Sequence, residues 1–87
     1  MQIIYPQYRK YSHDRTYFKI ISANEWEELH ISKVQVRIHS FTANILPDRN
    51  FIHDLTFEYQ KNWVVIEEEE YEKIKRKFTK KQERKSL

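Results

Sequence analysis

The sequence predicts a small α+β domain: an antiparallel β-meander of about four to six strands with a C-terminal α-helix packed on one face. Three observations predict it. Short β-branched and aromatic runs recur through the first two-thirds of the chain. Clusters of Ser, Asn, Asp and Lys separate them. One helical period follows, with Tyr71, Ile74 and Phe78 at i, i+3 and i+7.

Taken in order, Tyr8–Tyr11 and residues 16–22 read as a hairpin turning at Ser12-His13-Asp14-Arg15. Residues 22–31 carry two signals. Ser22-Ala23-Asn24-Glu25 fits a capping box that would start a helix through Trp26 and Leu29. However, Glu27, Leu29 and Ile31 alternate with Trp26, Glu28 and His30, and the short length favours a strand over 26–31. Residues 33–38 alternate again, with Val34, Val36 and Ile38 on one side. Phe41 and Ala43 then fall on the opposite side, with Gln35, Arg37 and His39, and a bulge near His39-Ser40 would return Phe41 to the core. Pro47 and Asp48 allow one or two helical turns within 46–55. Residues 56–59 and 63–66 read as a second hairpin around Gln60-Lys61-Asn62, with Asn62 in the left-handed position that glycine usually takes. Glu67–Glu70 open the final helix and Lys75, Arg76 and Lys77 lie near its far end, an order that complements the helix dipole. The apolar stripe stops at Phe78. The expected organisation is therefore one domain over 1–78 and a frayed, basic tail over 79–87.

Composition excludes several function classes. The 87 residues include no glycine, which removes Gly-rich phosphate loops and the nucleophile elbow. They include no cysteine, so disulfides, thiolate zinc sites and Cys nucleophiles are ruled out. The four histidines show no metal-ligand spacing, and no cofactor or metal is expected. No apolar run has the length of a membrane span, and Met1–Pro6 lacks the layout of a signal peptide. The expected compartment is the cytoplasm. Charge is unevenly placed: residues 1–72 carry 8 basic and 12 acidic groups, whereas residues 73–87 carry 8 basic and one acidic.

A cationic end on a mildly anionic body points to phosphate contact. The candidate nucleic-acid-binding residues are Lys73, Lys75, Arg76, Lys77, Lys80, Lys81, Arg84 and Lys85. Tyr8, Arg9, Lys10 and Tyr11 join them, since rings interleaved with cations can stack bases and hold phosphates. Arg37, His39 and Phe41 extend this platform only if no bulge intervenes. The expected function is a small non-enzymatic binding or regulatory protein that contacts nucleic acid through its basic C-terminal end. The alternative is a protein-interaction module, an adaptor or a small inhibitor of the phage or mobile-element type, using exposed aromatic residues. A remoter alternative is a metal-independent ribonuclease in which Arg49, His39 and His53 converge.

Overall fold

The computed structural model describes residues 3–33 and 35–86, with side chains as far as Lys77. A single antiparallel sheet holds β1 (Gln7–Tyr11), β2 (Thr16–Ser22), β3 (Glu25–Ile31), β4 (Val36–Thr42) and β5 (Trp63–Val65). Its five strands lie in the order β4-β3-β2-β1-β5, so a four-strand meander is completed by a short strand returning to β1. Helix α1 (Leu46–Phe57) connects the two edges, and α2 (Glu68–Ser86) follows β5. The architecture is the expected α+β arrangement with the C-terminal helix packed on the sheet.

Both hairpins in the first third form without glycine. In the β1–β2 loop Asp14 takes the left-handed conformation (φ 62), a position its short polar side chain tolerates. The two-residue Ala23-Asn24 turn has no positive φ, so it is not one of the primed turns that match strand twist. A register shift between Ile20 and Ser22 accommodates it. Residues 25–31 are a strand, and Ser22 Oγ hydrogen-bonds the Asn24 side chain at 2.9 Å within the turn.

Side chains alternate across the sheet to build two cores. Phe18, Ile20, Trp26 and Trp63 meet Ile52 and Leu55 of α1 on one face. Tyr8, Tyr17, Leu29 and Val36 meet Tyr71 of α2 on the other. Thr16, Tyr17 and Phe18 are therefore buried consecutively, the mark of a strand covered on both sides. The sheet is left open along β3 and β4 on the α1 face, and at Ile38, Ser40 and Thr42 on the other.

Three sequence expectations are corrected. The β3·β4 register is unbroken from Glu25↔Thr42 to Ile31↔Val36, so no bulge interrupts His39-Ser40. Phe41 instead gains cover by stacking on Trp26, at 5.0 Å between centroids. The 56–59 hairpin arm is absent, because α1 extends through Phe57 and Thr56 Oγ1 donates back to Ile52 O at 2.7 Å. A 3₁₀ turn at Tyr59–Lys61 follows, and β5 pairs with β1. Asn62 has φ −124 and is not left-handed.

Candidate nucleic-acid interface

The unbroken β3·β4 register decides which side chains share a face. Arg37, His39 and Phe41 lie opposite His30, Glu28 and Trp26, all on the α1 side of the sheet. α1 packs over the Phe18, Ile20 and Trp63 side of that face and leaves Arg37, His39 and Phe41 exposed. Ring contacts link the strip: His30 meets His39 edge-on at 5.1 Å, and His39 lies 6.2 Å from Phe41. Trp26, stacked on Phe41, is buried beneath it and braced from below by Phe51 at 5.4 Å.

Glu28 holds the strip in place. One carboxylate oxygen accepts the Trp26 indole N–H at 2.8 Å and the other is 2.7 Å from His30 Nε2. Both oxygens are thereby engaged within the strip. What remains exposed is an aromatic ring, two imidazoles and a guanidinium on one flat strand pair. Such a surface can stack an unpaired base and contact its phosphate.

The residues expected from the sequence fall into three places. Tyr8 and Arg9 are in the core, at 6% and 2% exposure. Tyr8 packs on Tyr71, with ring centroids 5.3 Å apart. The Arg9 guanidinium donates to the carbonyls of Leu55 (3.2 Å), Thr56 (3.4 Å) and Tyr8 (2.9 Å) and to the Gln7 side chain, and it lies over the Tyr59 ring. Desolvation lowers its pKa from the ordinary value. Lys10 is drawn to Asp14 (2.8 Å) and Glu70 (2.9 Å), which push its pKa up. Tyr11 is half-buried, stacked on Trp63.

The third place is α2. Lys73, Arg76 and Lys77 are exposed on it, while Lys75 Nζ reaches across to Glu27 at 3.1 Å. Lys80, Lys81, Arg84 and Lys85 lie on its helical backbone, and their side chains fall outside the described residues, as does the expectation of a frayed tail. The chain leaves the β1 side of the sheet, where Ile66 N–H bonds Tyr8 O, and α2 packs on β1, β2 and β4. This helix lies on the face of the sheet opposite the one that carries Arg37, His39 and Phe41.

The polar segment at 47–54 became part of α1. Arg49 and His53 line a cleft of about 360 Å³ with Tyr5, Asn24 and Phe57, whereas the His39 ring contacts are with His30 and Phe41. The three groups of the ribonuclease reading therefore stand apart. Among the described residues no three His, Asp or Glu side chains gather as a metal site requires, and no helix is long and apolar enough to cross a membrane.

Sequence reasoning made Arg37, His39 and Phe41 conditional on the register, and missed Trp26, Glu28 and His30 as their partners. The alternation of Trp26, Glu28 and His30 was the available signal. Comparison with protein-family models, with curated proteins and with solved structures found no match.

Proposed function

We propose that the chain is a non-enzymatic module that binds single-stranded nucleic acid. One observation supports the reading: the Arg37–His39–Phe41 strip of β4 is exposed, with an aromatic ring and a guanidinium on one strand face, in a chain whose last helix is basic. The helix end supplies sequence-independent charge, and the strip supplies a stacking surface that a duplex, with its bases enclosed, cannot use. Tyr8 and Arg9 have no part in it, being committed to the two cores.

The test is an anisotropy titration of labelled single strands and duplexes across salt concentrations. Single strands bind more tightly, and affinity falls steeply with salt. Truncation after Phe78 flattens that dependence, because each lost phosphate contact removes about 0.7 from the log–log slope on single strands. Equal affinity for both forms, or a salt dependence unchanged by truncation, contradicts the reading.

A second reading, a protein-interaction module, draws on exposed apolar side chains elsewhere, among them Leu46, Phe57 and Val65. Recovery of one specific protein by the full chain, surviving Phe57→Ser, would count against that surface.

A further inference from the structure

The outward hydrogen-bonding groups of β4 can be assigned. Ala43 N–H donates to Asn24 O at 2.7 Å, which makes 24 and 43 a bonded pair. Counted along the unbroken register, the bonded pairs are Trp26/Phe41, Glu28/His39 and His30/Arg37, since bonded and non-bonded pairs alternate in an antiparallel ladder. The N–H and C=O groups of Ile38, Ser40 and Thr42 therefore point away from the sheet, in its plane. β4 is at the edge, seven residues long, against three for β5 at the opposite edge. It has no proline, no lysine and no bulge, and its one charged side chain is Arg37.

We infer that two copies of the chain pair antiparallel through their β4 edges about a two-fold axis at His39, joining the sheets into one. The donors allow only registers that set outward positions against outward positions. Of these, the one centred on His39 is the register that brings Arg37 of each copy to Phe41 of the other. It places Ile38 against Ser40 of the partner subunit, and Ser40 against the partner subunit's Ile38. It also places Arg37 directly opposite Phe41 of the partner subunit, in a close non-bonded pair on the open face. There a guanidinium lies over a ring that the single chain leaves 38% exposed. The contact is self-complementary: each strand offers the cation that the other's ring takes, twice. This is the pattern of an isologous interface and selects a second copy over an unrelated strand.

The opposite face permits the pairing. α2 covers Val36, which is 2% exposed, but leaves Ser40 and Thr42 on the same strand open. Each helix thus passes β4 to one side of the axis. The pairing occupies backbone groups in the plane of the sheet, while Arg37, His39 and Phe41 project from the face. It therefore does not depend on the nucleic-acid reading, and in the pair the partner subunit's Arg37 covers part of the Phe41 ring.

Sedimentation equilibrium of the full chain, without nucleic acid, tests it. The wild-type chain is a dimer at micromolar concentration. Ser40→Pro removes an outward donor and leaves the β3·β4 bonds in place, so its mass falls to half with an unchanged circular-dichroism spectrum. His39→Lys sets like charges opposite each other across the axis and also halves the mass, which decides the matter should the proline variant not fold. A wild-type monomer across the micromolar range overturns the inference, as does a dimer whose mass the His39→Lys change leaves intact.

Discussion

Arg9 shows how one residue can look like a ligand-binding cation and serve as a structural one. Helix α1 has no basic residue in its last turn to answer its terminal carbonyls. The guanidinium of Arg9 takes the carbonyls of Leu55 and Thr56 from inside the core instead. Replacing it with Ala leaves buried acceptors unmatched and costs about 2–3 kcal/mol, read as a lower urea midpoint. Tyr71 is the counterpart on the other face. It is fully buried, and its hydroxyl donates to Glu27 at 2.7 Å. Burial, then this hydrogen bond, push its pKa well above the ordinary phenol, and burial raises Tyr17 and Tyr8 as well. The unfolded chain releases these phenolic protons near about pH 10, where the native state still holds them. Stability is thus complete below that pH and declines as pH rises beyond it. Lys10, raised by Asp14 and Glu70, adds a contribution of the same sign. Urea midpoints measured from neutral into alkaline pH fall in the wild-type chain and fall less in Tyr71→Phe; parallel curves would contradict the assignment.

At the scale of the element, β4 is the informative case. Its backbone amides divide into two classes: those of Arg37, His39 and Phe41 bond to β3, and those of Ile38, Ser40 and Thr42 point outward. Hydrogen exchange by NMR at low protein concentration shows slow and fast amides in alternation along the strand. Raising the concentration slows the outward set as copies pair; uniform protection at every concentration would contradict the register. The same strand shows what the sequence made legible. The alternation of Val36 and Ile38 against Arg37 and His39 revealed a strand. Whether Phe41 turned inward depended on a partner that local pattern does not contain. Trp26 resolves it by stacking from β3, so the strand runs straight and an apolar ring stays half outside. The final helix and the first hairpin were legible because their periods and turn residues are local. The 56–59 segment was not, because Thr56 and Phe57 suit a strand by propensity, while burial of Ile52 and Leu55 against the sheet holds them in α1.

Across the whole molecule, a wound-over connection determines which surface is left. The chain must travel from β4 at one edge to β5 at the other, and α1 makes that crossing on one face while α2 takes the opposite one. Coverage on both sides explains how so short a chain keeps two small aromatic cores. It also leaves the Arg37–His39–Phe41 strip open on the face opposite α2. The body and its helical end are electrostatically opposed, with 12 acidic groups before residue 73 and 8 basic groups from residue 73 onward. This layout orients the basic end toward a polyanion and the body away from it. Loss of one stacking contact in Phe41→Ala weakens binding of a single strand by about 1–3 kcal/mol, and leaves the salt dependence in place because no charge is removed. The most direct measurement is therefore the affinity of Phe41→Ala and wild-type chains for one labelled single-stranded oligonucleotide, each titrated across the same salt series. Roughly tenfold weaker binding with a parallel salt slope is the predicted result; identical affinities, or no binding by the wild-type chain at low salt, would contradict the account.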